Sequence, residues 1–91
     1  MQKSHFDICK EVSLIVSRIS QIPMSEISEE SWNLPLTASF FHMNGQALVY
    51  LYFEVAKHYA VQIPGKFLDH NGFNSIGKIA SIVEAIENRK Q

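Results

Sequence analysis

The chain has 91 residues, of which 46% are hydrophobic and 19% are charged, a composition that suits one small folded domain and excludes two ordinary ones. Its 8 basic and 9 acidic residues nearly cancel, so we expect no binding to nucleic acid or to an anionic membrane surface. The single cysteine, Cys9, excludes an internal disulfide and a multi-thiolate zinc site, so the hydrophobic core must stabilise the fold alone.

Apolar residues near the start of the chain recur at steps of three and four, which predicts a helix over residues 5–22. Ser4, with Asp7 three positions later, provides a start signal. Pro23 disfavours helical backbone at the preceding residue, so we expect the helix to end at Ile22 or just before it. The predicted buried face consists of Ile8, Val12, Ile15, Ile19 and Ile22, with Val16 beside them.

Residues 24–44 lose this periodicity and are rich in turn and cap residues, which predicts a long ordered loop with a short helical turn near residues 25–30. Long loops inside small domains are usually held in place by their own side chains or carry a function. The apolar residues available to hold this loop against the core are Ile27, Trp32, Leu34, Leu36, Phe40 and Phe41.

The next segment predicts a second main helix over residues 45–60, because fifteen residues from Gln46 to Ala60 contain neither Gly nor Pro. Asn44 is a suitable N-cap for this helix. A short third helix is expected at 65–70, and a last helix at 75–88 follows Asn74 or Ser75 as N-cap. Gly77 lies inside this last helix, where a glycine costs about 1 kcal/mol relative to alanine.

This order of elements resembles the acyl and peptidyl carrier proteins over nearly the whole chain. Carriers begin their second helix with Asp-Ser-Leu and place apolar residues four and six positions after the serine, as Val49 and Leu51 follow Gly45 here. Tyr59, Ile63 and Pro64 match the end of that helix, and Phe73-Asn74-Ser75-Ile76 looks like the entry into the last one. The resemblance implies an all-α fold, a single carrier-like bundle over residues 1–91 with three main helices, a short third helix and a long first loop.

The resemblance breaks at the residue on which carrier chemistry depends. The family's Asp-Ser-Leu falls on Asn44-Gly45-Gln46, and the serine of a carrier holds the 4'-phosphopantetheine arm through a phosphodiester. Gly45 has no hydroxyl to esterify, so we expect no 4'-phosphopantetheine and no other cofactor. The alternative is a true carrier modified at Ser39, although Ser39 places Met43 and Gly45 at the two apolar positions.

A second departure concerns charge. Carriers of this type usually present an acidic second helix to basic partner enzymes, whereas the predicted solvent side here runs through Ala47, Tyr50, Glu54, Lys57 and His58. Electrostatic steering toward such enzymes would be lost. We expect instead a protein-binding surface around Gly45, formed by Asn44, Gln46, Ala47, Leu48, Tyr50, Glu54 and Lys57.

Among carrier-like families, the sequence is most similar to the acyl-carrier-related proteins of bacterial peptide-maturation systems. The similar residues are Pro35-Leu36-Thr37-Ala38, Phe41, Met43 and the run from Leu48 to Glu54. This resemblance implies an interaction scaffold without 4'-phosphopantetheine, in a peptide-maturation or secondary-metabolite pathway, whose partner is a peptide-modifying enzyme. A different hypothesis is a self-associating helical module that buries its apolar second helix in a homodimer.

No residue pattern indicates an enzyme or a metal site. The histidines lack the helical spacing of a metal-binding face, and Asp69-His70 has no serine or cysteine in a recognisable nucleophile motif. Cys9 is expected to be a half-buried structural residue. Tyr52 and Tyr59 are expected in the core with their hydroxyls at its edge, and Tyr50 at an interface. The four histidines are His5, His42, His58 and His70.

No segment has the pattern of a signal peptide or a membrane span, because the first residues lack an apolar stretch and no apolar run approaches the thickness of a bilayer. We therefore expect a cytoplasmic protein that has no membrane partner.

Overall fold

A computed structural model of the chain describes residues 4–65 and 74–89. Within these ranges the fold is all-α and contains no strand, as the sequence predicts. The main helices are α1 (His5–Ser20), α2 (Gly45–Tyr59) and α3 (Ile76–Arg89). Two short 3₁₀ helices, Met24–Glu26 and Glu29–Asn33, lie between α1 and α2. The short helix predicted at 65–70 falls outside the described residues except for Gly65, which lies in a turn.

Helix α1 begins where the sequence predicts but ends at Ser20 rather than at Ile22. The Ser4 hydroxyl caps the first turn by accepting a hydrogen bond of 3.1 Å from the Asp7 backbone N–H. At the other end, Gln21 adopts left-handed backbone geometry with a φ of 64°, and its N–H donates to the Ser17 carbonyl. This left-handed cap ends the helix two residues before the predicted limit.

The segment between α1 and α2 is ordered by backbone hydrogen bonds and buried apolar side chains. Leu36 N–H donates to the Asn74 carbonyl over 2.6 Å, and Met43 N–H donates to the Leu36 carbonyl over 3.0 Å. Leu36 is fully buried and therefore anchors the loop beside the start of α3. Leu34 is also expected from the sequence to hold the loop, but it is 39% exposed at the end of the second 3₁₀ helix. The anchoring side chains that are buried are Ile27, Leu36, Phe41 and Met43.

Helix α2 has the predicted start and ends one residue earlier than predicted. The Asn44 side chain accepts a hydrogen bond of 2.8 Å from the Ala47 backbone N–H, which confirms Asn44 as the N-cap. Ala60 takes left-handed geometry with a φ of 54°, and Val61 N–H then donates to the Ala56 carbonyl. The chain leaves the helix at this point because the left-handed residue redirects the backbone.

Helix α3 starts at Ile76, one residue later than predicted, and continues to Arg89, one residue further than predicted. Of the two N-cap candidates, Ser75 is the one whose hydroxyl accepts the Lys78 backbone N–H, at 3.2 Å. Gly77 lies where α3 approaches the second 3₁₀ helix, and a Cβ there would be 3.3 Å from the Trp32 carbonyl oxygen. The glycine therefore permits close packing between these two elements.

Helix α1 packs against both of the other main helices and supplies the centre of the core. Cys9 is fully buried there, so the expectation of a half-buried thiol was wrong. Its side chain packs into the hydrophobic core together with the other buried residues of α1, so the buried face of this helix is wider than the face predicted from the sequence. No helix among the described residues is long and apolar enough to cross a membrane. The fully buried large side chains include Val12, Ile15, Val16, Leu36, Leu51, Val55, Ile76, Ile79 and Val83.

Candidate functional site

The beginning of α2 is the candidate site, because it carries Gly45 at the position where the carrier pattern has its modified serine. Gly45 is the first residue of α2, directly after the Asn44 cap, and it is exposed. A Cβ added to Gly45 would have no heavy atom within 4 Å, and no glycine in the described ranges has a positive φ. The backbone and the space around Gly45 would therefore accept any small side chain.

The predicted partner-binding residues divide into outward-facing and inward-leaning groups. Gln46, Tyr50 and Lys57 point to solvent, and Tyr50 is 58% exposed. Ala47 and Leu48 are half-buried and pack against the core, so only part of each side chain is accessible to a partner. Glu54 is half-buried as well. The accessible part of the predicted surface is therefore the start of α2 and the side of the helix that carries Tyr50.

Sequence analysis missed two exposed apolar residues on α2. Phe53 is 63% exposed and Val49 is 45% exposed. At 100° per residue they fall with the outward-facing group on an arc of about 100°. The spacing of three and four residues was a usable signal, but the apolar character of the whole helix concealed which side faces solvent. We call this arc the outer face of α2; it consists of Gln46, Val49, Tyr50, Phe53 and Lys57.

Two shallow grooves border the outer face. One lies between α1 and α2, has a volume of about 310 Å³, and has Arg18 and Glu54 among its lining residues together with Ile15, Ile19 and Tyr50. The other, of about 460 Å³, lies between the end of α2 and residues 61–64, and its lining includes Phe53. The Tyr52 hydroxyl donates a hydrogen bond to the Ile63 carbonyl beside this second groove. Tyr50 lines the first groove and Phe53 lines the second. The two grooves therefore lie on either side of an apolar ridge that these two side chains form.

Ser39, the alternative attachment residue, lies apart from the helix start. It is exposed in the turn that precedes α2, six positions before Gly45. Backbone hydrogen bonds from Ala38 to Pro35 and from His42 to Ala38 define this turn. The structure therefore places Ser39 outside α2, whereas the position matched to the carrier serine is the first residue of the helix.

Tyr52 and Tyr59 are half-buried with their hydroxyls hydrogen-bonded at the edge of the core, as predicted. The Tyr59 hydroxyl donates to Glu11 Oε1 over 2.8 Å, and His58 Nε2 lies 3.5 Å from the same oxygen. Burial raises the pKa of Tyr59, and the hydrogen bond to Glu11 and the charge of that carboxylate raise it further. This cluster ties α1 to the last turn of α2.

The described residues hold no group of three or more His, Cys, Asp or Glu side chains arranged to bind a metal ion. His5 Nδ1 lies 3.9 Å from Glu84 Oε2, a pair that is ionic when the imidazole is protonated. Burial raises the pKa of the Cys9 thiol, and the charge of Glu84 adds to this shift, so the thiol is a poor nucleophile. Asp69 and His70 lie outside the described residues.

Comparisons with protein-family models, with curated proteins and with solved structures found no match to this chain.

Proposed function

We propose that this chain is an acyl-carrier-like module that carries no 4'-phosphopantetheine and acts by binding another protein through the start of α2. The observation that carries the proposal is Gly45, an exposed residue at the first position of α2 that has no atom to esterify. Because the space around Gly45 is open, packing does not require a glycine there. The lack of an attachment group is then a property of this residue and not of the surrounding fold.

The surface around Gly45 supports a binding role in place of a carrier role. Tyr50 exposes an amphipathic ring, a side chain that contributes strongly to protein interfaces. Glu54 and Lys57 supply one charge of each sign, in place of an acidic stripe. We propose a peptide-modifying enzyme as the partner, which follows from the resemblance to carrier-related proteins of peptide-maturation systems.

Mass spectrometry tests the absence of the arm. The wild-type chain and its Gly45→Ser and Ser39→Ala variants are each incubated with coenzyme A and a broad-specificity phosphopantetheinyl transferase, with a functional carrier as positive control. We expect the wild-type mass to stay unchanged and the Gly45→Ser variant to gain one phosphopantetheine group. A modified wild-type chain would contradict the proposal, and loss of that modification in Ser39→Ala would establish the alternative carrier.

The Gly45→Ser variant tests the carrier resemblance separately. Its open surroundings accept the added hydroxyl without a clash, so the variant should fold as the wild type does. Modification of the variant would support the match between Gly45 and the carrier serine. If the variant stays unmodified while the positive control reacts, the start of α2 is not a transferase substrate even when it carries a serine, and the resemblance loses this support.

Protein binding is tested with a purified enzyme that modifies ribosomally made peptides, chosen from the genes that neighbour this one. Titration calorimetry compares the wild type with Tyr50→Glu. Leu34→Glu serves as a matched control because Leu34 is also exposed but belongs to the end of the second 3₁₀ helix and not to α2. We expect Tyr50→Glu to weaken binding at least about tenfold, as for an aromatic interface anchor, and Leu34→Glu to bind as the wild type does. If all three proteins bind with equal affinity, the surface around Tyr50 is not the binding site for this partner.

A further inference from the structure

The outer face of α2 carries three apolar side chains where a solvent-facing helix normally carries polar ones. Phe53, Tyr50 and Val49 remain 63%, 58% and 45% exposed, although the ring of Phe53 makes an edge contact with Tyr52. Only Gln46 and Lys57 are polar on this arc. An apolar centre flanked by polar positions is the arrangement of a protein interface in miniature, with a core that is less polar than its rim.

We propose that a second copy of this chain covers this ridge, with α2 packed antiparallel against α2 about a twofold axis. In such an interface, residue i of one copy faces residue j of the other, and j faces i. With the axis level with the midpoint between Leu51 and Tyr52, each Tyr50 lies opposite Phe53 of the other copy. The same register places each Gln46 opposite Lys57 of the other copy.

This register satisfies both kinds of contact at once. The two aromatic pairs form at the centre, where rings favour edge-to-face or offset packing. The Gln46 amide oxygen accepts a hydrogen bond from the Lys57 ammonium at each end of the interface. Four of the five positions of the face therefore pair with one another in a single register. Val49 falls opposite Glu54 of the other copy and lies at the edge of the interface.

Charge favours the antiparallel arrangement over a parallel one. A rise of 1.5 Å per residue separates the two Lys57 positions by about 16 Å along the antiparallel helices. This distance exceeds the Debye length of about 8 Å at physiological ionic strength, so their repulsion is screened. A parallel pair would instead bring the two ammonium groups together. The formal net charge of −1 adds no long-range repulsion between copies.

The area of the face predicts a weak dimer. Aromatic residues bury about 150–250 Å² when fully covered, so the exposed parts of Tyr50 and Phe53 offer about 100 Å² each. With Val49 and the flanking polar residues, the interface stays below the roughly 1,200 Å² of stable specific complexes. We therefore expect a dimer that forms as the protein concentration rises and dissociates on dilution.

This inference rests on the outer face of α2 and does not require the proposed function. The two surfaces share Gln46, Tyr50 and Lys57, so a dimer and a partner complex would exclude each other. Phe53 and Val49 belong to the dimer face alone. Loss of self-association therefore leaves the proposed partner surface standing, and a failure of partner binding leaves the dimer standing.

Sedimentation equilibrium of the full chain over a wide concentration range tests the dimer. We expect the wild-type mass to rise from monomer to dimer, and Phe53→Glu to weaken the dimer at least about tenfold. Leu34→Glu, which adds the same charge at another exposed apolar position, should associate as the wild type does. Circular dichroism confirms that each variant remains helical. A wild type that is monomeric at every concentration, or a Phe53→Glu variant that associates normally, would overturn the proposal.

Cross-linking tests the register. Under mild oxidation a Gln46→Cys/Lys57→Cys double variant should form covalent dimers, because the two positions face each other across the interface. The Lys57→Cys single variant should stay monomeric on a denaturing gel, since its two thiols are too far apart, and the native Cys9 is fully buried. Efficient cross-linking of the single variant would indicate parallel helices and contradict the proposed arrangement.

Discussion

At the scale of single residues, the contact between Tyr59 and Glu11 joins α1 to α2 through a polar pair at the edge of the apolar core. The Tyr59 hydroxyl donates to the Glu11 carboxylate, which also lies 3.5 Å from His58 Nε2. Three polar groups therefore converge between α1 and the last turn of α2. Sequence analysis placed Tyr59 at the edge of the core but gave no sign of Glu11, because the two residues are 48 positions apart.

We predict that Tyr59→Phe destabilises the protein at neutral pH and changes its response to alkali. Losing the hydrogen bond should lower the free energy of unfolding by about 1 kcal/mol at neutral pH. The folded-state pKa of Tyr59 is raised above the ordinary value near 10, so the phenol holds its proton more tightly in the folded chain. Its contribution is complete below about pH 10 and is lost as the pH rises above that value.

Urea unfolding at neutral pH and at several values above about pH 10 measures this effect. The gap between wild type and Tyr59→Phe should narrow in alkali, because only the wild type loses the stabilisation of this protonated phenol. Tyr50→Phe is the matched control, since Tyr50 is exposed and should change the stability little at either pH. A gap that stays constant with pH would contradict the role assigned to the raised pKa.

At the scale of secondary structure, the two described helical glycines have different reasons to be glycine. Gly45 begins α2 in open space, whereas a Cβ at Gly77 would be 3.3 Å from the Trp32 carbonyl oxygen and 3.7 Å from Asn33 Oδ1. Both positions have helical backbone without a positive φ. Replacing either glycine with alanine therefore changes the backbone entropy in a similar way. A difference in stability between the two variants then reports how the added methyl group packs.

We predict that Gly45→Ala stabilises the protein and that Gly77→Ala does not. Alanine at a compatible helical position reduces the entropy of the unfolded chain and adds about 0.4–1 kcal/mol. At Gly77 the added methyl group forces α3 away from the second 3₁₀ helix, which offsets that gain. Thermal unfolding of the two variants measures the difference, and an equal gain in both would show that Gly77 does not hold the two elements close.

Helix starts were predictable from the sequence, and helix ends were less so. Ser4 and Asn44 carry side chains that cap the next turn, and the structure confirms both caps. The ends of α1 and α2 instead use left-handed backbone at Gln21 and Ala60, residues without a strong preference for that geometry. Left-handed caps at such residues depend on the tertiary fold, so no local sequence pattern predicts them.

The candidate site was predictable in its position and less so in its extent. The residues that match the carrier pattern, together with the Asn44 cap, suffice to place Gly45 at the start of α2. Which side of α2 faces solvent was not predictable, because apolar residues occupy almost every side of this helix. Phe53 illustrates the difficulty: its sequence context suits a core residue, yet it is the most exposed large apolar side chain on the described part of the chain.

At the scale of the whole molecule, the three helices contribute unequally to the core. Helix α1 contributes the buried side chains Ile8, Cys9, Val12, Ser13, Ile15 and Val16, whereas α2 contributes only Leu51 and Val55. Helix α2 therefore has the smallest buried face and also the largest exposed apolar one. Such an imbalance lowers the cost of opening α2 while α1 and α3 remain packed.

We predict that α2 opens before the rest of the fold. In native-state hydrogen exchange at low protein concentration, the amides of Leu51 to Val55 should exchange with a smaller opening free energy than those of Val12 to Val16 in α1 and Ile79 to Val83 in α3. Added urea should bring the α1 and α3 amides onto one common global isotherm, while the α2 amides exchange by a partial opening that depends less on urea. Leu51→Ala should enlarge the difference, because Leu51 is fully buried and anchors α2 to the core. Equal opening free energies in all three helices would show instead that Leu51 and Val55 suffice to make the folding of α2 fully cooperative with that of α1.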